Sequence, residues 1–191
     1  MTFLGLGLNF DKQFVNYAEY HNNKINQAIH VIFVPTILWS AQVLLTKSPV
    51  YTTWAYSNYL PVNNALICSG FYSLYYLALH RPLGLIATPV LLGCTYYANQ
   101  FANLDLPYGG PLAWAGAIHL TSWFFQILGH QLYEKRAPAF LDNPLEALVL
   151  APLFVLSEVL FAFGLFPETA KRLNTEASKK AKAFQDKNKR K

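Results

Sequence analysis

Five histidines, His21, His30, His80, His119 and His130, stand in a chain of 191 residues of which 53% are hydrophobic and only 13% charged. An imidazole in apolar surroundings costs free energy unless it is hydrogen-bonded or holds a cation. His21 and His30 are nine residues apart; one continuous helix would set them on opposite faces and about 13 Å apart along the axis. The stretch "HNNKIN" between them removes that obstacle, because turn-forming asparagines let one helix end at His21 and another begin before His30. Both rings can then face one point. His130 belongs to a later apolar segment, and Glu134 follows at i+4 on the same helical face. Two imidazoles and a carboxylate with open positions form the facial site of non-haem Fe(II) oxygenases, and three imidazoles can serve similarly. His119 precedes His130 by eleven residues, on the same face but about 16 Å deeper on a straight helix. It joins the same metal only if the helix breaks, with Gly129 as the candidate point; otherwise it is a histidine hydrogen-bonded inside the bundle. His80, in "LHRP", reads as a solvated or hydrogen-bonded interfacial side chain.

Other chemistries fail on their motifs. HExxH is absent, and with it the zincin metalloprotease pattern. The HxxxH and HxxHH boxes of membrane desaturases are absent too, and five histidines are too few for their di-iron site. There is no GxSxG and no P-loop. Cys68 and Cys94 lie singly in apolar segments, which indicates neither a disulfide framework nor a thiolate metal site.

The elements that must position these side chains follow from composition. A soluble domain carries roughly 25% charged residues, so a chain with 13% charge and a mean hydropathy of +0.21 points to lipid as its solvent. Segments 26–46, 62–79, 83–101, 111–133 and 145–166 each approach the ~20 apolar residues that cross a bilayer core. Ahead of them, Phe10, Phe14 and Tyr17 recur at helical spacing and predict an amphipathic interfacial helix. Asn26 is a candidate N-cap for the first span. Pro35, Pro89 and Pro152 fall inside spans, where membrane helices tolerate kinks, and "YTTWAYSNY" at 51–59 reads as an interfacial aromatic belt. Nothing at the N-terminus resembles a cleaved signal peptide. Counting Lys and Arg beside the spans gathers the charge on one side when both termini are cytosolic. That arrangement implies an all-α membrane bundle of four crossings, with 145–166 re-entrant or buried as a fifth hydrophobic segment. Residues 1–167 then form one membrane-embedded domain and 168–191 a basic cytosolic tail. Nine of the fifteen Lys and Arg lie in that tail; its basicity suits an anionic membrane surface rather than nucleic acid. The final "KNKRK" has the form of a KxKxx signal for retrieval to the endoplasmic reticulum.

The blocks "YHNNKINQAIHVIFVPTIL" and "WFFQILGHQLYEKRAPAFLDNPLEALVLAPLF" together resemble the two signature blocks of the 2-hydroxy fatty acid dioxygenase family, small endoplasmic-reticulum membrane proteins of phytosphingosine breakdown. The resemblance runs from about residue 14 to 167. It implies an Fe(II)- and dioxygen-dependent α-oxidation that shortens a 2-hydroxy long-chain fatty acid by one carbon with release of CO2. It carries over to His21, His30 and His130 as metal ligands and extends to Glu134 as a ligand or a partner one hydrogen bond removed. His80 falls outside it. Three protein ligands leave three of six iron positions, two for the substrate's carboxylate and 2-hydroxyl and one for dioxygen. Lys135 or Arg136 would hold the carboxylate, while "PAFLDN" forms the turn after the fourth span, with Asp142 or Asn143 capping the next helix. Two competing readings are a non-enzymatic lipid carrier or scaffold with structural histidines, and a metal-dependent lipid hydrolase that works without oxygen.

Overall fold

In the computed structural model, which describes residues 2–3, 6–135, 141 and 144–189, the helices start and stop close to the pattern of apolar segments. Among the described residues a short antiparallel pair, β1 (Thr2–Phe3) and β2 (Leu6–Gly7), precedes seven α-helices. These are α1 (Phe10–Glu19), α2 (Lys24–Leu45), α3 (Asn64–Leu79), α4 (Arg81–Ala102), α5 (Gly110–Gly129), α6 (Pro144–Ala162) and α7 (Pro167–Lys189). At His130 the last turn of α5 widens into a π-helical turn, His130–Glu134. The chain divides into two compact units, residues 1–32 with 125–191, and residues 33–124.

In the first unit α1 begins at Asn9, whose side chain accepts from the Lys12 amide at 2.9 Å. The apolar stripe predicted for an interfacial helix is present, but α6 covers it. Phe154 meets Phe10 and Phe14 edge-on at 5.9 and 5.6 Å between ring centroids, and Phe161 meets Phe14 at 5.6 Å. Such edge-to-face pairs add to the area they bury, which gives this face a protein partner in place of lipid. The basic tail is helical: Leu173, Ala177 and Ala181, spaced by four, are buried along α7, which packs on α1. Arg172 pairs with Asp11, and Lys180 Nζ donates to Asn16 Oδ1 at 2.9 Å. Between α6 and α7 the chain turns by 117°. Gly164 and Phe166 adopt positive φ there, and Pro167 opens the next helix, a position that suits its missing N–H.

The second unit holds α3 and α4 as a hairpin joined at His80 alone. That residue ends α3 and caps α4, its Nδ1 accepting from the Leu83 amide at 3.3 Å. Gly84 permits the close approach, because a Cβ there would stand 2.6 Å from the Leu77 backbone nitrogen. Buried polar side chains pair across the helices. Gln42 Nε2 donates to Ser69 Oγ at 2.7 Å, Ser69 and Thr95 hydroxyls meet at 2.6 Å, and Asn63 Nδ2 donates to Asn99 Oδ1 at 2.8 Å. Small residues Ala98, Ala102 and Ala115 pack with Val43, Trp39 and Phe101. Small residues and hydrogen-bonding pairs of this kind join helices in apolar solvents.

Those polar pairs also bear on the crossings. Among the described residues only α2, with 22 residues, is long and apolar enough to span a membrane by itself. A second is reached if 147–162 and 167–183 count as one broken span. At 16 residues α3 is about 24 Å long, short of the ~30 Å hydrocarbon core. Length and composition therefore supply one or two crossing helices where loop charges suggest four. The inward-facing Ser69, Thr95 and Asn99 of the hairpin lower its hydropathy while leaving its helices intact. Pro35, Pro89 and Pro152 do lie inside α2, α4 and α6.

Candidate metal centre

Within the first unit three histidines arrive from three different pieces of chain. His21 lies just past the turn that closes α1, its amide bonded to the Ala18 carbonyl at 3.2 Å. His30 sits in the second turn of α2, and His130 is the first residue of the π turn. Their ring centroids are 4.4, 4.8 and 4.9 Å apart with the rings nearly perpendicular. One nitrogen from each ring lies within 4.8 Å of the other two. The residues are 4%, 3% and 3% exposed.

Hydrogen bonds select the nitrogen that faces the centre. His21 Nδ1 donates to the Tyr17 carbonyl at 2.7 Å and His30 Nδ1 to the Asn26 carbonyl at 2.9 Å. A carbonyl can only accept, so Nδ1 carries the proton and Nε2 keeps its lone pair. Metal-bound histidines are commonly held in this way. Burial, followed by the neighbouring His30 and His130, holds His21 well below the ordinary imidazole pKa. Three imidazoles at this spacing are a donor set for one divalent transition ion.

Glu134 stands behind these rings. Its Oε1 accepts from the Asn23 amide at 2.8 Å and from Asn26 Nδ2 at 3.1 Å. The carboxylate therefore sits at the start of α2, where the helix dipole favours negative charge. It lies one residue from His30's anchor, since Asn26 supplies that carbonyl. The converging ligand atoms are those of the three histidines; Glu134 is not among them. Asn26 itself is fully buried and lies inside α2, so it is not the cap expected from the sequence. Asn23 caps instead, its Oδ1 accepting from the Ile25 amide at 2.9 Å, because α2 begins two residues earlier than the apolar run. Gly129 lets the π turn approach: a Cβ there would stand 2.6 Å from Asn26 Oδ1 and 3.1 Å from Ile29 Cδ1.

Tyr17 completes the surroundings. Its ring stacks on His21 with centroids 4.0 Å apart and planes 21° from parallel, and its hydroxyl donates to Glu158 Oε2 at 3.5 Å. Burial, with Glu158 beside it, pushes the Tyr17 phenol well above its ordinary pKa, so it remains a donor. Gln126, one turn before His130, is buried, and its Nε2 has no acceptor among the described residues.

The remaining candidates fall elsewhere. His119 is in the second unit, where its Nδ1 meets Ser40 Oγ at 3.0 Å and its Nε2 accepts from Trp123 Nε1 at 3.0 Å. Both nitrogens are thus engaged, and His119 is a hydrogen-bonded bundle histidine. Lys135 is exposed and ends the π turn with φ of 51°. Arg136, Asp142 and Asn143 lie outside the described residues.

The three-histidine geometry falls within a stretch that can be matched to known proteins. Residues 8–163 fit the family model described as 2-hydroxy-palmitic acid dioxygenase Mpo1-like. The chain belongs to the Mpo1-like family. The 2-hydroxy-palmitic acid dioxygenase MPO1 of Saccharomyces cerevisiae is 36% identical over 151 residues, 79% of each chain. No solved structure matches the chain. The Mpo1-like match takes in all three histidines, Tyr17, Glu134 and Glu158, and ends before α7. Reasoning from sequence missed Asn23, Asn26 and Glu158 as parts of the site. Two signals were available: the asparagines between two histidines, and the one charged residue of α6 after its first turn.

Proposed function

We propose that this chain is an Fe(II)-dependent dioxygenase that converts a 2-hydroxy long-chain fatty acid into the acid one carbon shorter and CO2, in the degradation of phytosphingosine. The observation that carries this reading is the buried trio of imidazoles, each contributing one nitrogen to a common point. Kinship with a protein named for dioxygenation of 2-hydroxy-palmitic acid supports the substrate class.

Electron counting supports the reaction. Going from the 2-hydroxy acid to the shorter acid and CO2, C2 gives up three electrons and C1 gives up one. Dioxygen takes all four, ending in the new carboxyl group and water, so no further reductant is needed. Fe(II), when bound, supplies the redox centre at which the two reactants meet. The chain does the rest. The Tyr17 and Asn26 carbonyls hold the imidazole protons away from the centre, and Glu134 holds Asn26. The burial of the three rings keeps bulk water from the centre. Lys135 or Arg136 attracts the substrate carboxylate, and the Gln126 amide is a buried donor one turn from His130 for the same headgroup. The acyl chain lies along the lipid-facing side. The protein resides in the endoplasmic-reticulum membrane, crossing four times with both termini in the cytosol.

The test is product analysis. Iron-loaded protein given 2-hydroxyhexadecanoate in air should yield pentadecanoate, and none under argon. Equal product under argon would mean hydrolysis or another oxygen-independent reaction, and no product in air would leave a binding or scaffold protein.

A further inference from the structure

His30 and His130 are held by helical backbone, but His21 lies beyond the end of α1 and has no helix to fix it. Its backbone is held by the Ala18 carbonyl and by Gln27 Nε2, which donates to the His21 carbonyl at 2.7 Å, and the orientation of its ring comes from one residue. Tyr17 offers its carbonyl to His21 Nδ1 at 2.7 Å and its ring face at 4.0 Å. Tyr17 is in turn fixed at its far end by Glu158 at 3.5 Å, and along its edge by Phe154, with centroids 5.2 Å apart. Glu158 is otherwise hard to account for. It interrupts the apolar run "LAPLFVLSEVLFA" of α6, and a partly buried carboxyl is expensive compared with an apolar side chain of similar volume. Stability alone would favour leucine there.

We propose that Glu158 and Tyr17 are positioning residues for His21: a hydrogen-bonded tether from α6 that sets the angle of the third imidazole and so completes the metal site. The inference rests on the metal-site reading above. The phenol ring limits rotation of the imidazole, and the carboxylate limits sliding of the phenol. Without the tether, His21 samples several orientations and meets the metal in only a fraction of them, which weakens the three-histidine site without emptying it. Partners one hydrogen bond removed from a metal ligand typically contribute 10–100-fold in affinity; this tether should fall at the lower end because it acts through a ring contact.

Cobalt(II) tests the idea without turnover, because its visible absorption reports both occupancy and ligand geometry. The full-length chain in lipid nanodiscs should bind about one Co(II), and His30→Ala should lose it. Glu158→Leu and Tyr17→Phe should each weaken Co(II) binding about tenfold and alter its visible bands, while Glu158→Gln, which still accepts from the phenol, should stay within about threefold of the parent. Thermal unfolding of metal-free Glu158→Leu should be no lower than that of the parent. Co(II) affinity and bands unchanged in both Glu158→Leu and Tyr17→Phe would overturn the tether while leaving the metal site standing. A fall in affinity matched by a fall in metal-free Tm would make Glu158 a structural residue and overturn it as well. If the parent chain binds no metal, the site and the tether fall together.

Discussion

A histidine nitrogen that donates to a carbonyl cannot also hold a metal, and at His21 and His30 the backbone makes that choice. Replacing His21, His30 or His130 with alanine should therefore abolish iron retention and turnover, measured as iron per chain after anaerobic loading. His80→Ala and His119→Ala should retain iron, since His80 caps a helix and both nitrogens of His119 are engaged elsewhere. Gln126→Leu should raise KM for the hydroxy acid more than it lowers kcat, the pattern of lost uniform binding; an unchanged KM would return Gln126 to the core. Acid should also act at this scale. His21 has a folded-state pKa well below 6.5, so between those values the unfolded chain binds the proton and the folded chain does not. That contribution to metal-free stability is fully present above about pH 6.5 and is lost as pH falls, by about 1.4 kcal/mol per unit for one group. Denaturant unfolding of the metal-free protein from pH 7.5 to 5 should show that direction; stability that rises on acidification would contradict it.

The elements carry these side chains by close approach. The π turn places His130 and Glu134 so that one serves the centre and the other reaches the start of α2. Gly129→Ala would push a methyl into Asn26 Oδ1 and Ile29, overpacking that typically costs 1–3 kcal/mol. It should lower both Tm and Co(II) affinity. Glu134→Ala should cost more affinity than Glu134→Gln, which keeps an acceptor for Asn23 and Asn26. Much of this was legible in the chain. Apolar runs marked α2 to α6 to within a few residues, and the asparagine break between His21 and His30 foretold two elements meeting at one point. The cap was misassigned because Asn23 and Asn26 are chemically alike and the apolar run starts after both. The role of Glu158 was not legible, since only the packing of α6 on α1 brings it to Tyr17. The covered apolar face of α1 was missed for the same reason: spacing reveals a stripe but not its partner.

At the scale of the whole molecule, the helical class was legible in the apolar periodicity, while the number of crossings depends on helix length and on which way polar side chains turn. Hydropathy averages all faces of a helix, so Gln42, Ser69 and Thr95, which meet in one chain of hydrogen bonds, and Asn99, which meets Asn63, count as polar although their partners are inside the protein. The proposed orientation makes a separate prediction. A tag after Lys191 should be removed by protease added to intact microsomes, and a tag protected until detergent is added would put the C-terminus in the lumen. Replacing Lys187 and Lys189, whose side chains lie outside the described residues, with serine should release the protein from the endoplasmic reticulum if the terminal KxKxx is read as a signal.

The central claim is that this histidine site uses dioxygen to remove one carbon from a 2-hydroxy acid with no other reductant. The direct measurement follows dioxygen consumed and CO2 released by iron-loaded protein given 2-hydroxyhexadecanoate labelled at C1, with no reductant added during turnover. One dioxygen should disappear for each labelled CO2 released, and His130→Ala should do neither. CO2 released without oxygen uptake, or turnover that stops unless a reductant is supplied, would contradict the account.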